Sequence, residues 1–317
     1  MLEFSKLTLK DMTKLRPLII QKSSNLCNYT VGNIFMWRDY HEMEYAVHND
    51  TVIFKAQTKY GGVTTVFSLP LGKDWHGEID EVVKYCKHHN IPVAFYAVTN
   101  EEIDILASWF KEYRLFSKED WSDYIYHATD LTTLAGRKYS KKRNHINNFK
   151  KAYTNYSFEE INENNLQQIR DFYERLSADN VYDSDTAKED HIKTLEVLDN
   201  YALYDLLGGV LLINNNIAAF SIGEIKANTL HIHIEKADHQ YNGVHQVLSN
   251  EFAKKYTTDG IEFINREEDD GDLGLRQSKL SYYPCEIAEK HIFVVVARNE
   301  SSDYENMYNR SRQPLHT

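Results

Sequence analysis

Residues 208–237 read GGVLLINNNIAAFSIGEIKANTLHIHIEKA, and this stretch decides the fold of the 317-residue chain. Three runs of mostly apolar residues are separated by NNN and KAN, which are typical of tight turns. The pattern therefore predicts a three-stranded antiparallel meander. The segment GVHQVLSNEFAKKY then has the spacing of a helix, and IEFIN has the composition of a further buried strand. Strands and helices in this order indicate an α/β domain.

The first part of the chain shows the same order of elements. The runs EYAVHN, TVIFKAQ and GVTTVFSLP predict a meander, EIDEVVKYCKHHN a helix, IPVAFYAV a strand, NEEIDILASWFKEY a helix and DYIYHATDL a strand. No sequence repeat relates the two parts, but the shared order predicts a duplicated α/β fold. Each copy is expected to have a mixed, mostly antiparallel sheet flanked by helices. We expect one domain at residues 1–130, a second at residues 131–298, and a polar, frayed tail at residues 299–317.

The composition excludes several classes of protein. Hydrophobic residues make up 42% of the chain, which is enough for buried cores. A formal net charge of −11 argues against general binding to nucleic acids or anionic membranes, and no apolar run approaches the length of a membrane span. Cys27, Cys86 and Cys285 are not spaced as a disulfide framework, so we expect a reducing, cytoplasmic location.

The run GRKYSKKRNHINNFKK at residues 136–151 is strongly basic within this acidic chain. Its apolar residues recur at the spacing of a core-facing helical stripe, so the outer lysines are interpreted as a solvated face. Arg143 lies beside the stripe, where a partly desolvated guanidinium needs an anionic partner. That partner is either the carboxylate or phosphate of a substrate, or an acidic residue of the chain itself.

The segment after the second meander has the form of an anion-binding loop. A strand ends near residue 237, and a glycine turn leads directly into a helix whose first N–H groups have no partner within the helix. Such a helix end attracts phosphate. The alternative is an ordinary strand-to-helix turn. The phosphate-binding residues predicted here are Gln240, Asn242, Gly243, Val244 and His245.

Two resemblances point to a family. The loop resembles the Q-x-x-G-x-(small) pyrophosphate loop of the GNAT acyl-CoA N-acyltransferase superfamily, with His245 in place of the small residue. The blocks NYTVGNIFMWRDY, DYIYHATDLTTLAGRKYSKKRNHINNFKK and INREEDDGDLGLRQSKLSYYP resemble the C-terminal-domain family of phosphatidylglycerol lysyltransferases. That family includes the catalytic part of lipid-lysylating membrane enzymes and many stand-alone bacterial proteins.

The resemblance implies a fold and a chemistry. The fold is two tandem GNAT-like domains, and the chemistry is transfer of an acyl or aminoacyl group to an amine or hydroxyl. The implied donor is acyl-CoA or aminoacyl-tRNA, and no metal is implied. Matched to the family motif K-R-N-H, Arg143 and His145 are assigned to the substrate region.

Transfer of this kind needs a base for the nucleophile and an acid for the leaving group. Glu224 and Glu235 on the meander strands are the candidate bases. Glu235 alternates with two histidines on one strand face, and such a set more often forms hydrogen bonds than holds a metal. By analogy with tyrosines near this position in GNAT enzymes, Tyr282 or Tyr283 is the expected acid.

The closing block supplies further binding residues. Asn265 and Glu267 leave the last buried strand, where α/β folds commonly place ligands. Arg276 and Lys279 are three residues apart, so they share a helix face and are predicted to clamp phosphate groups. The acidic loop EEDDGD lacks the spacing of a calcium loop and is interpreted as a solvated turn.

The sequence leaves two functions open. The first is an acyltransferase or aminoacyltransferase with a small-molecule or aminoacyl acceptor and with tRNA as a potential partner. The second is a non-catalytic module that retains the GNAT fold and binds coenzyme A or a nucleotide, or acts as a regulator. His245 favours the second, because its side chain would crowd a pyrophosphate.

Overall fold

The computed structural model describes residues 1–72, 75–182, 184–258 and 260–296, so the tail predicted at residues 299–317 lies outside the described residues. The chain forms two compact units. The first unit comprises residues 1–7, 41–121 and the described residues from 289 onward, and the second comprises residues 8–40 and 122–288. Each unit contains one seven-stranded mixed sheet flanked by helices, which confirms the predicted α/β fold class.

The strands are two to eleven residues long. In chain order they are β1 (Ser5–Lys6), β2 (Glu44–His48), β3 (Thr51–Gln57), β4 (Thr65–Phe67), β5 (Ala94–Val98), β6 (Tyr113–Ser117), β7 (Asp123–His127), β8 (Tyr156–Glu160), β9 (Leu207–Ile213), β10 (Asn216–Lys226), β11 (Thr229–Ala237), β12 (Phe263–Asn265), β13 (Glu286–Ala288) and β14 (His291–Val295).

The α-helices in chain order are α1 (Met12–Ile19), α2 (Val31–Met36), α3 (Trp75–His89), α4 (Asn100–Trp109), α5 (Ala128–Thr133), α6 (Ser140–Ala152), α7 (Leu166–Ser177), α8 (Asp185–Asp199), α9 (Tyr201–Tyr204), α10 (Val244–Tyr256) and α11 (Leu273–Leu280). Short 3-10 turns occur at Leu9–Asp11, Cys27–Tyr29, Glu119–Trp121 and Arg137–Tyr139. Among the described residues, no helix combines the length and the apolar character that a bilayer crossing requires.

The sheet of the first unit has the order β1-β2-β3-β4-β5-β14-β6. Its strands β2, β3 and β4 form the antiparallel meander predicted from the sequence. Strand β5 pairs with β4 in parallel and with β14 in antiparallel orientation. Phe67, Phe95 and Phe293 are fully buried in the core of this unit, so β14 contributes to the core as well as to the sheet.

The sheet of the second unit has the order β13-β7-β12-β11-β10-β9-β8. Strands β9, β10 and β11 form the second predicted meander. Helix α6 covers this sheet with the predicted apolar stripe, since Tyr139, Ile146 and Phe149 are buried. On the same helix Lys141 and Lys151 are exposed, in agreement with the predicted solvated face.

The units do not follow the predicted boundary between residues 130 and 131. Strand β7, expected to close the first domain, pairs with β12 and β13 of the second sheet. Strand β14, expected in the second domain, lies between β5 and β6 of the first sheet. Residues 8–40 also belong to the second unit. Strand pairing over a long chain separation decides these memberships, and local residue patterns do not record it.

Candidate active site

The two central parallel strands of the second unit separate after three paired residues. Strand β11 pairs with β12 only from Thr229 to His231, opposite Phe263 to Asn265. Strand β12 then ends, whereas β11 continues to Ala237. We call the opening between residues 232–237 and residues 265–268 the strand wedge. It leaves this edge of β11 without a strand neighbour among the described residues.

The main chain of β11 is accessible at His233. The side chain of His233 is only 1% exposed, whereas the residue as a whole is partly exposed. Its accessible surface therefore belongs to the main chain. Main-chain N–H groups are suitable donors for a carbonyl oxygen on which negative charge develops, so the accessible main chain of β11 is a candidate for this role.

His233 contacts two carboxylates, that of Glu267 across the strand wedge and that of Glu224 on the neighbouring strand β10. Its Nδ1 lies 2.7 Å from Glu267 Oε1 and its Nε2 lies 2.9 Å from Glu224 Oε1. Burial alone would lower the pKa of His233, but the carboxylates of Glu267 and Glu224 outweigh burial and raise the pKa to about 10. The ring is therefore an imidazolium at neutral pH and donates a hydrogen bond from each nitrogen.

Glu224 is held by the start of α2. Its carboxylate oxygens accept hydrogen bonds from Gly32 N at 2.6 Å and from Val31 N at 3.3 Å. Burial opposes ionisation of Glu224, yet His233 and the Gly32 amide lower its pKa to about 2. A carboxylate with so low a pKa is a poor proton acceptor, so its surroundings do not support the predicted role of Glu224 as the base.

Gly32 is needed for this close approach. A Cβ atom on residue 32 would lie 2.6 Å from His233 Nε2 and 2.9 Å from Glu224 Oε1. Such distances are below van der Waals contact, so a larger residue would displace the ion pair. The glycine of the block NYTVGNIFMWRDY therefore lets α2 reach the centre of the sheet.

A second ion pair crosses the strand wedge. Arg266 Nη2 lies 2.5 Å from Glu235 Oε2, and the side chains are 10% and 17% exposed, respectively. Arg266 Nε and Nη1 are buried and have no hydrogen-bond partner among the described residues. The Glu235 side chain is partly exposed at the opening, and its role as the base stays a prediction.

Tyr282 and Lys142 complete a cluster beside Arg266. Lys142 Nζ lies 3.8 Å from the centre of the Tyr282 ring, and Arg266 Cζ lies 5.1 Å from it. Burial raises the pKa of Tyr282 to about 12, while burial and the charge of Arg266 lower the pKa of Lys142 to about 8. Tyr283, the other candidate acid, is 49% exposed and contacts Tyr139, so only Tyr282 faces this cluster.

Residues 22–293 match the family described as phosphatidylglycerol lysyltransferase, C-terminal. The chain belongs to this family. The match confirms the resemblance of the three sequence blocks, and it places the chain in a family of transferases.

Solved structures and a curated relative agree with this assignment. A conserved protein of unknown function from Bacteroides thetaiotaomicron VPI-5482 is 27% identical, with a TM-score of 0.84 over 93% of this chain and 100% of that chain. L-PGS from Bacillus licheniformis shares the fold, with 16% identity and a TM-score of 0.61 over 94% of this chain and 96% of that chain. An uncharacterised protein of Mycoplasmoides gallisepticum (strain R(low / passage 15 / clone 2)) is 31% identical over an alignment of 187 residues that covers 56% of this chain. The match spans 58% of that relative's length.

The loop before α10 differs from an open pyrophosphate loop. Asp238 accepts hydrogen bonds from Gln240 N at 3.0 Å and from Gln240 Nε2 at 2.5 Å. The amides of Tyr241 and Val244 also bond within the loop, to the carbonyls of Asp238 and Tyr241. The Asp238 carboxylate thus takes up the main-chain and side-chain amides of Gln240, and loop carbonyls take up those of Tyr241 and Val244.

Gly243 is explained by packing on α6. It has a φ of +86°, and a Cβ atom there would lie 2.9 Å from the carbonyl oxygen of His145 and 3.2 Å from Phe149 Cβ. The glycine therefore allows α10 to start against α6. Next to it, Asn242 is exposed, and burial lowers the pKa of His245. Binding of a cofactor by these residues stays a prediction.

The predicted phosphate clamp on α11 is occupied by the protein itself. Arg276 Nε and Nη2 bind the buried carboxylate of Asp269 at 2.8 and 3.0 Å. Lys279 Nζ donates to the carbonyls of Arg266, Glu267 and Glu268 at 2.5–3.2 Å. Both side chains hold the segment after β12 in place. The acidic loop is therefore not wholly solvated, because Asp269 is buried and also accepts from Tyr124.

The other predicted substrate residues have structural partners. Arg143 Nη1 donates to the main-chain carbonyls of Leu134 and Gly136, and its role in substrate binding stays a prediction. His145 is exposed on α6. Asn265 is buried and donates to Asp123 at 2.8 Å, while its own oxygen accepts from Glu267 N at 2.6 Å. Asn265 and Glu267 thus shape the strand wedge.

Proposed function

We propose that the second unit is an aminoacyltransferase that moves an aminoacyl group from aminoacyl-tRNA to an amine or hydroxyl acceptor at the strand wedge. The observation that carries the proposal is the accessible main chain of β11 at His233, next to the Glu235–Arg266 pair and Tyr282. Membership of a transferase family supports it.

The residues at the wedge suit each part of such a transfer. The nucleophile attacks the ester carbonyl carbon and gives its proton to Glu235. Main-chain N–H groups of β11 bind the oxyanion that forms. The bond to the ribose oxygen then breaks, and this oxygen takes a proton from Tyr282, whose raised pKa keeps it protonated at neutral pH. The products are an amide or ester of the amino acid and a tRNA with a free terminal hydroxyl, and solvent returns the proton from Glu235 to Tyr282.

The loop before α10 favours aminoacyl-tRNA over acyl-CoA as the donor. The carboxylate of Asp238 takes up the Gln240 amide and side chain, and it would repel a pyrophosphate. Gly243 at the start of α10 is also packed against α6, which gives the glycine a structural role that needs no phosphate. If acyl-CoA were the donor, we would expect the amides of this loop to be free to bind its pyrophosphate.

The cysteines bear on the cellular location of the reaction. The three cysteines form no disulfide, and a cytoplasmic location stays a prediction that rests on them. A small-molecule or lipid-headgroup acceptor fits the proposal.

The test is transfer from a mixture of tRNAs charged with radiolabelled amino acids to small amines, amino acids and phospholipids. Wild-type protein should release labelled product, and Glu235→Gln and Tyr282→Phe should each slow the transfer about 100-fold or more, as expected for loss of a general base or acid. Glu159→Gln on the exposed edge of β8 and Tyr60→Phe in the first unit are the matched controls. Turnover of acyl-CoA, with micromolar binding of coenzyme A by calorimetry and no use of charged tRNA, would contradict the proposal.

A further inference from the structure

We propose that Arg266 and Lys142 form a binding subsite for one phosphate group beside the strand wedge. The molecule that carries the phosphate is inferred from the proposed function. The subsite itself follows from the side chains of Arg266, Lys142 and Tyr282.

Arg266 has unused donors in a buried position. Nine-tenths of its side chain is buried, and Nη2 is bound to Glu235. Nε and Nη1 are also buried, yet no acceptor among the described residues reaches them. Buried N–H groups of a charged side chain are nearly always satisfied, so these two donors are where a phosphate oxygen would bind in the proposed subsite.

Lys142 places a second cation against the same Tyr282 ring. Its Nζ donates to the neutral Ser281 Oγ at 2.6 Å and has further hydrogens available. Lys142 and Arg266 both lie over the ring of Tyr282, at 3.8 and 5.1 Å. Glu235 is already bonded to Arg266, so it balances one of the two charges. A bound anion would relieve the remaining repulsion, which is the same repulsion that contributes to the lowered pKa of Lys142.

Phosphate fits this arrangement better than a carboxylate. The donors come from two elements, α6 and the segment after β12, and they belong to one guanidinium and one ammonium group. A tetrahedral group with several oxygens can accept from both at once. Two molecules in the proposed reaction carry such a group: the donor, at its terminal nucleotide, and an acceptor with a phosphorylated headgroup.

Calorimetric titration with inorganic phosphate, adenosine 5′-monophosphate and glycerol 3-phosphate tests the subsite, with adenosine and glycerol as ligands that lack phosphate. We expect the phosphorylated ligands to bind and Lys142→Gln to weaken them at least tenfold. The double variant Arg266→Gln, Glu235→Gln keeps a neutral contact in place of the ion pair. Its affinity for the phosphorylated ligands should also fall at least tenfold. Lys141→Gln, on the exposed face of the same helix, should bind like wild type.

The outcomes separate the sources of the phosphate. Tighter binding of the adenosine nucleotide assigns the subsite to the donor, and tighter binding of glycerol 3-phosphate assigns it to the acceptor. Equal binding by wild type and Lys142→Gln, or equal binding of acetate and phosphate, overturns the subsite. Phosphate binding that depends on Lys142 in a protein without transfer activity would instead overturn the proposed function and leave the subsite standing.

Discussion

Replacement of His233 by Gln tests whether the charged ring holds the centre of the second sheet. The buried imidazolium lies between Glu224 and Glu267, at 2.9 and 2.7 Å. A glutamine carries no charge and offers one amide group to two carboxylates. The rise of the His233 pKa from 6.5 to about 10 corresponds to roughly 5 kcal/mol at ~1.4 kcal/mol per pKa unit. Loss of one partner of a buried ion pair typically costs about 3–5 kcal/mol. We therefore expect His233→Gln to lower the free energy of unfolding by ~3–5 kcal/mol.

The measurement is urea unfolding at pH 7 followed by circular dichroism, with hydrogen exchange of peptides from β11 as a readout specific to the second unit. His88→Gln, at an exposed position on α3, is the control and should change little. Adding Glu267→Gln to His233→Gln should recover at least ~1 kcal/mol, because two neutral amide side chains can then form a hydrogen bond where a carboxylate had lost its charged partner. A loss below ~1 kcal/mol for the single variant, or no recovery in the double variant, would refute this account of the cluster.

Three further predictions concern the same unit. The free energy of unfolding should fall as the pH rises from about 6.5 towards 10, because folding raises the pKa of His233. The stability that the charged ring contributes is fully present below 6.5 and is lost as the pH passes about 10. Unfolding of His233→Gln should lack this pH dependence across the same series. Gly32→Ala should destabilise the protein by ~1–3 kcal/mol through overlap with His233 and Glu224, measured by urea unfolding against Gly274→Ala on α11, whose new methyl group meets only the Asp272 side chain at 3.2 Å. Gly243→Ala should cost at least ~1 kcal/mol, since the residue has a φ of +86° and its Cβ would meet the α6 backbone; unchanged thermal stability would show that α10 does not depend on this contact.

Local patterns in the sequence predicted the elements well. The two meanders and the buried stripe of α6 were visible because burial on one face leaves a period of two in strands and of about 3.6 in helices. The partners of β7 and β14 were not visible, since Ile125 meets Asn265 and Glu286 only in the folded sheet. Strand type is local, whereas strand position is not.

The candidate site was predicted only in part. Glu235, Tyr282 and Glu267 do surround the strand wedge. The spacing of Arg276 and Lys279 correctly gave one helix face, but it could not show that this face is turned to the backbone after β12.

Arg266 and Lys142 were missed, although both lie inside the blocks that resemble the family. Lys142 precedes the buried Ile146 by one helical turn, which was the available signal that it shares the inner face of α6. Arg266 stands between Asn265 and Glu267. Among the described basic residues, Arg266 is distinguished by its buried Nε and Nη1, which have no partner in the part of the chain that the structure describes.

The placement of β14 has a consequence for synthesis on the ribosome. Residues 291–295 are made after every other described strand, yet they lie between β5 and β6. Until they emerge, β5 and β6 have no strand to join them, and the apolar surface around Phe95 is uncovered. The first unit thus contains the first strand to be synthesised, β1, yet its sheet is completed last, by β14. A chain truncated before residue 291 and released from the ribosome should expose this surface to chaperones, although every strand of the second sheet has been made.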